Sequence, residues 1–133
     1  MPPLDTTEDP IAIKLATQAE VLYLTNLLLL PGIAFIFLIR LYIRHASNGP
    51  ALVRCHIKQT MNASIWAGIL LIIINGLILL LGGYSEPWTW VVLIIYFTSI
   101  HATLVLLGVI GLSKAMAGKH YHYPVIGNRC TEQ

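Results

Sequence analysis

"LLLLPGIAFIFLIRLYIR", Leu27 to Arg44, decides how this chain is folded. Apart from Pro31, Gly32 and the two arginines, it is apolar throughout. It closes a greasy segment that begins near Ile11. At about 1.5 Å per residue that segment is too long for one straight crossing of roughly 30 Å of hydrocarbon. A proline inside a helix removes a hydrogen bond and bends the axis. The expectation is a short interfacial helix capped by Asp9, with Pro10 at its first position. A transmembrane helix over residues 21–43, kinked at Pro31, follows it.

Two further spans are expected, over residues 60–81 and 88–112. "HASNGPALVRCHIKQ", with Asn48–Gly49–Pro50 as its breaker, and the short "GGYSEP" connect them. Neither connection is long enough for a domain. The fold class is therefore an all-α integral membrane protein with three transmembrane helices and a C-terminal tail. Residues 1–133 form a single membrane domain.

Composition supports this. Of 133 residues, 56% are hydrophobic and only 11% charged, about half the charged fraction of a soluble domain. The mean hydropathy is +0.74. The net charge of +2 comes without the dense basic patch that nucleic-acid binding needs, so nucleic acid is not a partner. The opening "MPPLDTTEDP" is acidic where a secretion signal would be basic, so no cleavable signal is expected.

Charge sets the orientation. Arg40, Arg44, Arg54 and Lys58 flank the first connection, and Lys114, Lys119 and Arg129 follow the last span. Asp5, Glu8, Asp9, Glu20 and Glu86 fall on the opposite side of a three-span chain. The positive-inside rule then places the N-terminus outside and the C-terminus in the cytoplasm. The location implied is the bacterial cytoplasmic (inner) membrane, multi-pass, with membrane lipid as a partner. Tyr84, Trp88 and Trp90 would form the outer aromatic belt and Tyr42, Tyr121 and Tyr123 the inner one. Cys55 and Cys130 carry no metal or redox spacing and face a reducing compartment, so both are expected as free thiols.

Small and polar residues mark the faces where helices meet. On the third span His101, Leu104, Gly108, Gly111, Ala115 and Gly118 recur at intervals of three and four. On the second, Ser64, Gly68, Asn75 and Gly82 share a face at uniform helical spacing. His101 falls near mid-membrane. An ionisable residue there is a candidate site, as a haem b ligand or in a proton or quinone role. The blander reading is a neutral ring bonded to Asn75, Tyr96 or Ser99. A bis-histidine haem lacks a second histidine at that depth, so no cofactor is assigned.

"RCHIKQTMNAS" brings His56, Gln59 and Asn62 to the cytoplasmic start of the second span. This polar patch reads as helix capping and docking for the loop or the tail. In "AGKHYHYPVIGNRC", His120 and His122 alternate with tyrosines. His56, Cys55 and Cys130 lie on the same side, so a metal cluster is geometrically permissible. No ligand spacing demands one, and no metal is assigned. The stretch reads as a membrane-surface tail, ended as a helix by Pro124.

"HIKQTMN" and "AMAGKHYHYPVIG" resemble motifs of small bacterial membrane proteins related to the chloroplast inner-envelope protein-import component. The matching residues of the second motif are Ala115, Gly118, Tyr121, Tyr123, Pro124 and Gly127. The resemblance implies a helical membrane domain with a cytoplasmic polar loop and no assigned activity.

No catalytic constellation is visible: no nucleophile sits beside a histidine, no carboxylate pair is buried, and no phosphate loop appears. The expected function is a non-catalytic accessory or assembly subunit of a larger membrane protein complex. An oligomeric channel or protein-translocation component, which the resemblance suggests, is one alternative. A haem- or quinone-associated anchor of a redox complex is the other.

Overall fold

The computed structural model describes residues 9–127 and 130. They form four helices: α1 (Pro10–Leu28), α2 (Ile33–His45), α3 (Ala51–Gly82) and α4 (Pro87–Met116). There is no strand among the described residues. α1 starts where the Asp9–Pro10 pair places it, with Asp9 Oδ1 accepting from the Ile11 N–H at 3.0 Å. At 19 residues it is not a short interfacial piece.

The expected kinked span over residues 21–43 is instead two antiparallel helices. Pro31 alone would bend the axis. Gly32 adopts a left-handed φ of 88°, and Asn26 Oδ1 takes its N–H at 2.9 Å. The N–H groups of Leu29 and Leu30 both turn back to the Thr25 carbonyl. Together these reverse the chain rather than bend it. One groove is lined by Leu15, Gln18 and Leu22 of α1 and by Phe37, Leu41 and Arg44 of α2, a pairing that only a hairpin produces.

α1 lies in the angle between α3 and α4 and packs on both as well as on α2. Its contact stripe is Ala12, Ala16, Ala19, Glu20 and Tyr23, all buried. Alanines at helical spacing let neighbouring backbones approach closely. Ala16 meets Leu52 at the start of α3 and Ala115 at the end of α4. The first turns of α1, the 46–50 connection and the tail therefore share one end of the bundle. Asp9 and Glu20 sit at that end with the basic residues, not opposite them. Of the acidic residues placed outside, Glu86 lies at the other end, while Asp5 and Glu8 fall outside the described residues. So do Arg129 and most of the opening decapeptide.

Among the described residues, α3 and α4 are the two helices long and apolar enough to cross a membrane, at 32 and 30 residues. Between Ile69 and Ile73, α3 widens into a π-helical turn. The Leu70 carbonyl there accepts from the Tyr96 hydroxyl at 3.1 Å, and the Leu71 carbonyl from Asn75 Nδ2 at 2.8 Å. In hydrocarbon no water could satisfy those carbonyls. The π turn also shifts the helical register, so uniform 3.6-residue spacing does not carry across it. Asn75 is buried. A Cβ at Gly68 would touch nothing within 4 Å, whereas one at Gly82 would lie 2.9 Å from Thr89 Cγ2.

Candidate functional site

The centre of the basic end is a closed polar cluster. Glu20 of α1 faces His56 of α3, with Oε1 2.6 Å from Nδ1, and both side chains are fully buried. The other ring nitrogen, Nε2, lies 2.9 Å from the Lys119 carbonyl. A carbonyl only accepts, so Nε2 carries a proton. The contact at Nδ1 then needs one further proton, held between ring and carboxylate, and the pair is neutral as a whole. Glu20 Oε2 is taken by the Tyr123 hydroxyl. Burial, and then the carboxylate beside it, hold that phenol far above its ordinary pKa, so it remains a donor.

The tail closes the cluster. Gly118, in the left-handed region at φ 67°, ends α4: its N–H returns to the Ala115 carbonyl and the Lys119 N–H to that of Lys114. It thus works as the helix stop rather than as part of the packing stripe. Residues 119–127 then fold back over α1 and α3. Tyr123 is buried and meets Tyr23 edge-on, ring centres 5.9 Å apart. The Tyr23 hydroxyl donates to the Leu104 carbonyl at 3.1 Å. Asn62 donates its amide to the Ile126 carbonyl, and Gln59 Nε2 lies 3.4 Å from Cys130 Sγ. His56, Gln59 and Asn62 are therefore brought together as the seat of the tail. Tyr123, read as an interfacial belt residue, is instead a core residue.

The third-span stripe also faces inward. Leu104, Gly108, Gly111 and Ala115 are buried. A Cβ on Gly108 would lie 2.7 Å from Tyr23 Cε1, and one on Gly111 2.6 Å from Glu20 Oε2. These glycines give α1 its close approach, so the stripe is occupied within the chain. His101 is elsewhere. It lines a cavity of about 650 Å³ at the tip of the hairpin with Asn26, Gly32, Ser64, Gly68 and Phe97. Its Nε2 is buried without a hydrogen-bond partner, as is Ser64 Oγ. None of the expected partners reaches that nitrogen: Asn75 Nδ2 and the Tyr96 hydroxyl bond to α3 carbonyls instead.

Cys55 and Cys130, expected as free thiols, are joined as a disulfide with Cα atoms 5.3 Å apart. Their separation in sequence, 75 residues, hides this proximity. Only the folded-back tail creates it. Glu20 was the residue that sequence reading missed. Its signal was present as an acidic residue on an alanine stripe, but the three-span assignment sent it to the other side.

As chemistry, the cluster is a clasp. Each oxygen of Glu20 and each nitrogen of His56 has a protein partner, and the pair has no exposed surface from which to meet a substrate.

No curated protein and no solved structure matches the chain. A family model does, over residues 15–129. That match corrects the resemblance to relatives of the chloroplast import component, which stood on two short, degenerate motifs within the same stretch. The chain belongs to the MamF/MmsF family, the magnetosome magnetite crystal formation proteins.

Proposed function

We propose that this chain is a non-catalytic, membrane-embedded accessory protein of magnetite crystal formation, acting as part of a larger membrane assembly. The observation that carries this reading is the clasp itself. The residues best suited to acid–base chemistry, Glu20 and His56, are sealed in the core and spent on holding the tail. What remains for function is the apolar exterior of α3 and α4 and the basic end. Every Lys and Arg among the described residues sits at that end: Lys14, Arg40, Arg44, Arg54, Lys58, Lys114 and Lys119. The positive-inside rule puts it in the cytoplasm, with α3 and α4 crossing and the α1–α2 hairpin entering and leaving from the same side. Ile72, Leu80, Leu81, Ile94 and Ile95 are more than half exposed and suit lipid or the helices of a partner.

The test is deletion of the gene in a magnetite-forming cell, with crystals measured by electron microscopy. Crystals of altered size or shape, restored by the wild-type chain, are expected. Purification in mild detergent should bring down a stoichiometric membrane partner. Unaltered crystals after deletion would sink the reading.

A further inference from the structure

Cys55, Cys130 and His120 converge on one point beside the clasp. Their sulfur and ring-nitrogen atoms all lie within 4.8 Å of one another. Ligand atoms around a tetrahedral zinc stand about 3–4 Å apart, given bonds of roughly 2.0–2.3 Å, so small side-chain movements close the difference. His120 Nδ1 is buried and has no hydrogen-bond partner. The Gln59 amide beside Cys130 Sγ supplies an N–H donor of the kind that outer partners give to metal-bound sulfur. Both sulfurs also lie near the Tyr121 carbonyl, at 3.6 and 3.7 Å. A disulfide has no S–H to offer that carbonyl, but two thiols do.

The setting favours the reduced pair. On the orientation taken above, this end faces the cytoplasm, where disulfides are rare and paired cysteines more often bind metal or act in redox sensing. We propose that Cys55, His120 and Cys130 form a thiolate–imidazole site for a thiophilic divalent cation of the zinc class, interchangeable with the Cys55–Cys130 disulfide. A cellular dithiol reduces the disulfide, delivering two electrons and two protons and becoming a disulfide itself. The cation then binds as both thiols lose their protons, so two protons leave for each ion taken up. Two thiolates and one imidazole leave the fourth tetrahedral position to water. Either bond clips the tail to the start of α3.

The test uses the full chain in detergent, reduced with a phosphine so that no added thiol competes, and Co²⁺ as a coloured substitute for Zn²⁺. One Co²⁺ per chain should bind with sulfur-to-metal charge-transfer absorption, and Zn²⁺ should displace it. Zn²⁺ should also protect both cysteines from alkylation, read by mass spectrometry on the unmodified chain, so the result does not depend on a cysteine variant folding. His120→Ala should lose affinity by at least roughly 10–100-fold, the cost that even an outer partner's loss carries, while His122→Ala should not. The oxidised chain should give no charge-transfer band. Absence of that band in the reduced chain, equal binding by oxidised and reduced protein, or an unchanged His120→Ala would each overturn the site. This outcome is read on the isolated protein and is independent of whether deletion alters crystals.

Discussion

The Tyr123 hydroxyl donates to Glu20 Oε2 and so ties together residues 103 positions apart. Tyr123→Phe leaves a buried carboxylate oxygen without its donor, a loss of about 1–3 kcal/mol. Glu20→Ala also strips the partner from His56, and breaking a buried pair costs about 3–5 kcal/mol. Both variants should loosen the tail. The readout is tryptic cleavage after Lys119, an exposed position next to the docked segment, alongside thermal unfolding in detergent. Cleavage should quicken in the order wild type, Tyr123→Phe, Glu20→Ala. A wild-type rate in both variants would mean that the tail is held by other contacts.

Gly111 stands against this pair, and Gly108 against the Tyr23 ring. Leu at either position forces α1 away from α4, at about 1–3 kcal/mol for overpacking. Leu at Val109, which is half exposed, should be nearly silent. Because the stripe is filled by α1, the glycine variants should lower the amount of folded chain in the membrane. Normal accumulation of the glycine variants would place α1 elsewhere.

What the sequence could disclose follows from the range of each signal. Helix starts and stops are local, so Asp9–Pro10, Asn48–Gly49–Pro50 and the two long apolar runs were legible. The hairpin was not, because kink and reversal begin with the same Pro–Gly. The choice rests on the left-handed φ of Gly32 and on the Asn26 cap six residues back. A single crossing over residues 21–43 sets Glu20 and His56 at opposite surfaces, so no clasp can be assembled from that reading. His56, Gln59 and Asn62 were legible as a docking patch because their spacing lies within one helix. The Cys55–Cys130 pairing depends on how the tail folds back, which no local pattern encodes.

His101 touches Phe97 edge-on, ring centres 5.3 Å apart. Its Nε2 is buried without a partner in an otherwise mostly apolar cavity. An unpaired buried polar atom costs about 1–3 kcal/mol. His101→Leu should therefore leave thermal stability unchanged or raised. The histidines His45, His56, His120 and His122 all lie at the basic end, so the purified chain should show no Soret band. A Soret band that vanishes in His101→Leu would reinstate haem at this position.

Val125 is a fully exposed β-branched residue at φ 69°, in a tight turn where the Ile126 N–H returns to the Pro124 carbonyl. Such a backbone costs on the order of 1–3 kcal/mol, and the side chain gives no packing in return. Val125→Gly relieves it against an entropic penalty of roughly 0.5–1 kcal/mol. Tryptic cleavage after Lys119 should slow. Faster cleavage would show that the turn is not strained in solution.

The hairpin makes the sharpest claim about topology. α2 has 13 residues, about 20 Å of helix, which is too short to cross roughly 30 Å of hydrocarbon alone. Joined end to end with α1 it could cross, but a single groove lined by Leu15, Gln18 and Leu22 of α1 and by Phe37, Leu41 and Arg44 of α2 requires the two helices side by side. Single cysteines at Ile11, Ser47 and Ser85, in a Cys55→Ser, Cys130→Ser background, distinguish the arrangements. With α3 and α4 as the only crossings, an impermeant thiol reagent should reach Ser85→Cys from outside intact cells. Ile11→Cys and Ser47→Cys should react only after permeabilisation. Three crossings would put residue 11 outside with residue 85. The background must first be shown to accumulate in the membrane, since it removes the clip between the tail and α3. If it does, labelling of Ile11→Cys in intact cells would remove the hairpin. The Glu20–His56 contact would then fall with it, because a crossing between residues 20 and 56 would set the two at opposite surfaces.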